Sequence, residues 1–155
     1  MNTIEIINKA VLTEQVLLHG SPKVIDEIHP HYADDEMAVC ATPYSEIAIF
    51  MAIINSCRPG NCGFKSTITS KKCFVEFMIC DRIIASLLSK EVVGYVYALD
   101  SRGFSLWRGF EYRSYEPLYS LQRFTVKKEN LPFYPILGQN TYTVTLKREM
   151  AAMFN

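Results

Sequence analysis

Val16-Leu17-Leu18-His19-Gly20-Ser21 is the stretch on which the reading of this fold turns. A short apolar run bounded by a turn signal reads as a buried strand. This one stops on an imidazole. A strand ending that way presents one ionisable, hydrogen-bonding side chain at the end of its sheet. Gly20 has no Cβ, so it lets a ligand approach the backbone closely, and Ser21 adds a hydroxyl within reach. The plainer alternative is a histidine satisfied by a neighbouring carbonyl, with Gly-Ser only turning the chain.

Upstream of this stretch, residues 3–13 fit an amphipathic helix with Ile4, Ile7, Val11 and Leu12 on one face. Downstream, residues 22–35 are acidic and turn-rich and read as surface chain. Met37–Thr42 is a second apolar strand. A helix follows, with Thr42 or Ser45 as cap, Pro43 in its first turn and Glu46 at its positive end. Its apolar residues Ile47, Ala48, Phe50, Met51 and Ile54 cover more than one face, so it is expected to be buried. Arg58-Pro59-Gly60-Asn61 should end it.

Beyond it, residues 64–72 read as a loop or edge strand and 74–79 as a strand. Residues 83–88 read as a helical turn. The segments 92–99, 104–107, 112–126 and 141–146 read as strands rich in aromatic and β-branched residues. The expected class is α+β, a single domain over residues 1–155, large enough to bury about two-thirds of its unfolded surface.

Net charge is zero, yet residues 1–50 carry eight acidic and two basic side chains and the remainder eight and fourteen. Opposite halves can simply attract, or the basic part can form one wall for a phosphate-bearing ligand. No basic stripe indicates nucleic acid. No apolar run spans a bilayer. The five cysteines (Cys40, Cys57, Cys62, Cys73, Cys80) form no CxxC pair and no histidine follows them, so the usual zinc spacings are absent. With no basic leader at residues 1–5, reduced thiols in the cytoplasm are expected. His29 and His31 beside Asp34, Asp35 and Glu36 read as a solvated acidic turn rather than a metal site. Cys40 and His19, on candidate neighbouring strands, form a nucleophilic pair only on paper, since no third orienting group is evident. Trp107 between Arg102 and Arg108 reads as a core ring edged by arginines, with stacking on a base as the alternative.

Glu111-Tyr112-Arg113-Ser114-Tyr115-Glu116-Pro117 is the second chemical segment. Its glutamates, five apart, point to opposite faces of a regular strand. Glu111, opening the strand, is the preferred cleft residue; Glu116, beside Pro117, is the alternative.

Together these segments resemble the ADP-ribosyltransferase superfamily in its poly(ADP-ribose) polymerase and diphtheria-toxin branch. Residues 16–21 resemble its first signature, a strand ending in His-Gly-Ser. Residues 37–43, with the buried helix after them, resemble the second. Glu111-Tyr112-Arg113-Ser114-Tyr115-Glu116 resembles the third, a strand opening Glu-Tyr-x-x-Tyr. The matches cover about a fifth of the chain, and similar His-Gly-Ser-Pro openings occur in small bacterial and phage members. The resemblance implies a split two-sheet β core and an NAD-dependent ADP-ribosyltransferase or NAD-cleaving enzyme. NAD would be its substrate and His19 and Glu111 its catalytic residues. His19 would hold a ribose hydroxyl, Gly20 the nicotinamide carboxamide, and Ser21 the same pocket, while Glu111 would accept from the nicotinamide ribose. Cys40 stands where the family supplies a stacking tyrosine, so Tyr44, Tyr32 or Phe50 would have to stack instead. The alternative is a binding module on the same scaffold that lost turnover with that ring. The acceptor, for which a protein is one candidate, would be read by residues 22–36 and 56–72.

Overall fold

The computed structural model describes residues 1–54 and 62–154. Helix α1 (Thr3–Glu14) starts on a reciprocal cap: the Asn2 side chain accepts from the Glu5 amide at 2.9 Å, and the Glu5 carboxylate accepts from the Asn2 amide at 3.2 Å. It buries Ile7, Ala10 and Val11. The apolar stripe therefore runs through positions 7, 10 and 11, and Leu12, one step further round, is half exposed. Gln15, in the left-handed region at φ 53°, ends the helix and turns the chain into β1 (Val16–Ser21).

Residues 22–35, expected as surface chain, contain two short strands, β2 (Glu27–Ile28) and β3 (His31–Ala33). Then come β4 (Glu36–Ala41) and α2 (Ser45–Ile54). The helix starts two residues after Pro43, and as its all-round apolar sequence requires, almost every residue is buried. The expected turn at 58–61 lies outside the described residues. β5 (Gly63–Ile68) is an edge strand, followed by β6 (Cys73–Met78) and by α3 (Asp81–Ser89), a full helix where a turn was expected. β7 (Val93–Asp100) and β8 (Ser105–Arg108) follow. The run 112–126 is divided into β9 (Glu111–Ser114), β10 (Leu118–Tyr119) and β11 (Gln122–Lys127), because Pro117 has no amide to donate to a ladder. β12 (Thr141–Thr145) and α4 (Arg148–Ala152) complete the described chain.

The described strand pairs are antiparallel and form several sheets, in the orders β1-β7-β11, β3-β4-β9-β8, β12-β6-β5 and β10-β2. The protein is thus a mixed α+β structure with few helices. No helix among the described residues is long and apolar enough to cross a membrane.

Two features position the site. First, α2 lies directly on β1 and β7. A Cβ at Gly20 would stand 2.0 Å from the Ala48 carbonyl oxygen, and one at Gly94 would stand 2.3 Å from that of Ala52. These two glycines let the helix backbone settle onto the strands. Second, β1 and the end of β4 are joined across sheets by one pair of backbone bonds, Leu18 N–H to Thr42 O (2.8 Å) and Thr42 N–H to Leu18 O (2.9 Å). Val39 packs with Tyr97 and Leu99, and Leu17 with Ala41 and Tyr112, so the two sheets share apolar contacts.

Candidate functional site

Where β1 passes β4, His19 Nδ1 lies 2.7 Å from the Cys40 carbonyl oxygen. A carbonyl can only accept, so Nδ1 carries the proton and a neutral ring keeps Nε2 as an acceptor. Burial holds the His19 pKa below its ordinary 6.5, reinforced by His31, whose ring centroid is 6.1 Å away; the Cys40 carbonyl opposes this less strongly. At neutral pH His19 is therefore an uncharged acceptor.

Ser21, two residues on, accepts the Lys23 amide at 3.2 Å. The buried Tyr97 hydroxyl then pins the following chain, donating to the Lys23 carbonyl (2.8 Å) and accepting from the Ile25 amide (2.7 Å). One wall of a cavity is fixed in this way. Gly20 borders the same cavity, but the space its missing Cβ leaves is taken by α2, so helix packing rather than ligand approach explains the glycine.

The opposite wall comes from β9. Register sets Cys40 across from Arg113, and residues two apart in a strand share a face, so Glu111, Arg113 and Cys40 lie together. The Arg113 side chain is fully buried. Its Nε and Nη2 reach Glu111 Oε2 at 3.1 and 3.0 Å, its Nη1 reaches Glu36 at 2.6 Å, and Nη2 also reaches Asp34 at 3.0 Å. The guanidinium lies over the Trp107 ring, 3.6 Å from its centroid, with Arg108 also over that ring at 4.0 Å. Arg102 instead pairs with Asp100. Trp107 is only partly buried and belongs to none of the apolar clusters, so it is not the core ring expected; Arg108 and Arg113, rather than Arg102, lie over its face.

Both bonds from Arg113 fall on Oε2 of Glu111, leaving Oε1 for other donors. Burial pushes the Glu111 pKa up, and Arg113 only partly offsets it. Three carboxylates face two guanidinium groups here, Arg113 and, at 4.0 Å from Asp34, Arg108, so the wall keeps a net negative charge. The Cys40 thiol is pushed up to about 11, by burial first and then by the Glu111 charge. A neutral thiol, with only its backbone carbonyl on His19, speaks against a Cys–His nucleophile.

His19, Gly20, Ser21, Cys40 and Glu111 all line one cavity of about 850 Å³, together with His31 and Tyr32. That volume is in the upper part of the range for small-molecule and cofactor sites, roughly 300–1,000 Å³. Glu116 is exposed beyond the end of β9, away from the lining. Tyr44 is in the core, edge-on to Phe110 and with its hydroxyl 3.7 Å from Cys73, and Phe50 packs on Phe64 and Phe77. Of the three rings considered for stacking, Tyr32 alone borders the cavity.

No protein-family model, curated protein or solved structure matches this chain. The site has to be read from its own chemistry. Two acceptors, an imidazole nitrogen and a carboxylate oxygen, face one cavity and suit a ligand rich in hydroxyls. The net negative wall suits positive charge that develops on such a ligand.

His29, exposed, pairs with Glu27 at 2.7 Å. Among the described residues no group of three or more His, Cys, Asp or Glu is arranged to hold a metal. Arg113, Asp34 and Glu36 were not picked out by sequence reasoning as one unit. A signal for part of it existed: an arginine two after Glu111 must share its face in a strand. That the Asp34-Asp35-Glu36 turn would reach it from β3–β4 had no local signature.

Proposed function

We propose that this chain binds NAD in the 850 Å³ cavity and cleaves its nicotinamide–ribose bond, on a split two-sheet core of the ADP-ribosyltransferase kind. The observation that carries the reading is the meeting of a neutral His19 and the Glu111 carboxylate at one cavity, as the resemblance of residues 16–21 and 111–116 requires. A ribose hydroxyl donates to His19 Nε2, and a second donates to Glu111 Oε1. Tyr32 is the ring available to stack against nicotinamide. The C1′–N bond breaks with its electron pair going to the ring nitrogen, so nicotinamide leaves neutral and needs no acid. Positive charge grows on the sugar, and the carboxylate wall around Glu111 stabilises it. Water or an acceptor nucleophile then bonds to C1′ and gives up its proton.

One observation favours a second reading, a binding module without turnover. Cys40 offers no aromatic face, and Arg113 already holds one Glu111 oxygen. Calorimetric titration with NAD, run beside an assay for free nicotinamide, separates the two. Heat of binding with steady nicotinamide release supports the enzyme, binding without release supports the module, and no binding overturns both.

A further inference from the structure

Away from the cavity, the start of β5 and the start of α3 bring two sulfurs together. Cys62 precedes Gly63, which pairs with Met78 at the end of β6, and Cys80 caps α3 two residues later. The Sγ atoms of Cys62 and Cys80 are 3.3 Å apart. The Cys80 backbone amide also donates to Cys62 Sγ at 3.0 Å. Both residues are reduced and partly exposed, unlike the buried Cys73. The frame around them is held independently of the sulfurs. The Ile79 amide donates to the Asn140 carbonyl at 2.7 Å, while the Asn140 side chain donates to the Ile79 carbonyl and to the Asp81 carboxylate at 2.9 and 2.8 Å.

We infer that Cys62 and Cys80 form a redox-active dithiol that is oxidised by hydroperoxides to an intramolecular disulfide. The assignment of roles follows from the geometry. Cys62 Sγ accepts the Cys80 amide hydrogen, while its own thiol hydrogen is directed at Cys80 Sγ; loss of that hydrogen leaves a thiolate that the amide stabilises, so Cys62 is the attacking group. The Cys62 thiolate attacks the peroxide oxygen, the O–O bond breaks, and the alcohol or water formed leaves after taking up a proton. Cys62 is then a sulfenic acid, two electrons oxidised. Cys80 sulfur attacks the Cys62 sulfur, the S–S bond forms, the S–O bond breaks and water leaves. The net conversion takes two thiols and one hydroperoxide to a disulfide, an alcohol and water. It joins the start of β5 to the start of α3, and it stands whether or not the cavity takes NAD.

The test uses the full chain, reduced and then treated with one equivalent of hydrogen peroxide. Remaining thiols are blocked with N-ethylmaleimide and the protein is mapped by mass spectrometry. The expected result is loss of two blockable thiols, a Cys62–Cys80 linked peptide pair, and full reversal by dithiothreitol. Oxidation at this pair should run about tenfold or more faster than at Cys73. In Cys80→Ser, Cys62 should stop at the sulfenic acid and be trapped by dimedone; in Cys62→Ser, Cys80 should not be trapped. A disulfide mapped to a different pair, dimedone capture at Cys80 rather than Cys62, or all thiols surviving the peroxide would overturn the inference.

Discussion

Replacing Gly20 by alanine tests whether β1 is placed by its contact with α2. The new methyl carbon would lie 2.0 Å from Ala48 O, 2.8 Å from Ala52 N and 3.0 Å from Ala48 C. Ordinary contact begins at 3.4 Å, so strand and helix must part by more than an ångström. Every atom met is backbone, and no rotamer change relieves the clash. Overpacking costs about 1–3 kcal/mol where side chains can yield, so about 3 kcal/mol or more is expected here. For a domain of this size that is roughly a 6–12 °C fall in melting temperature. Gly94→Ala meets the same helix at Ala52 and should cost a similar amount. One displacement of α2 serves both, so the double variant should lose less than the two singles together. Thermal melts followed by circular dichroism give all three values. A Gly20→Ala protein melting within a degree or two of the parent would refute the packing argument and restore the view that this glycine serves a ligand.

Arg113→Met leaves Asp34, Glu36 and Glu111 facing one another without the cation they share. It should cost about 3 kcal/mol in urea unfolding, and the gap from the parent should narrow as pH falls and Glu111, whose pKa burial raises, takes up its proton. Equal losses at pH 4 and pH 7 would contradict the ion cluster. His19 has a folded pKa below 6.5, so the unfolded chain takes up its proton first; the His19 contribution to stability should fall as pH drops below 6.5, and His19→Gln should flatten that limb. Parent and variant losing stability in parallel below 6.5 would show the imidazole is not held neutral. With its thiol at about 11, Cys40 should react slowly with iodoacetamide at pH 8, and Cys40→Ser should keep whatever nicotinamide release the parent has. Fast labelling at pH 8 would reopen the nucleophilic reading.

Much of the secondary structure is legible because the chain punctuates itself. The apolar face of residues 3–13, the largely apolar α2 and the alternation of Tyr142, Val144 and Leu146 each carry a local reason for the element they form. The break after Ser114 is signalled by Pro117, although a strand-rich run continues on both sides. The meeting of His19 and Glu111 is different. It depends on a backbone bridge between Leu18 and Thr42 and on the β4–β9 register, neither of which has a local signal. The meaning of Gly20 was equally out of reach, because the atoms that demand it are the backbone of a helix some thirty residues later. Tyr44 looked available beside a cap, yet its ring is drawn into the core by Phe110.

The most direct test of the NAD reading is the rate of nicotinamide release at saturating NAD for the parent and for Glu111→Gln. Burial holds the Glu111 pKa above 4.5, so its ionisation at neutral pH works against stability. The amide variant should therefore melt no lower than the parent, while losing about 10²–10³-fold in rate for one preorganised electrostatic contact. A folded Glu111→Gln protein that releases nicotinamide at the parent's rate would contradict the account.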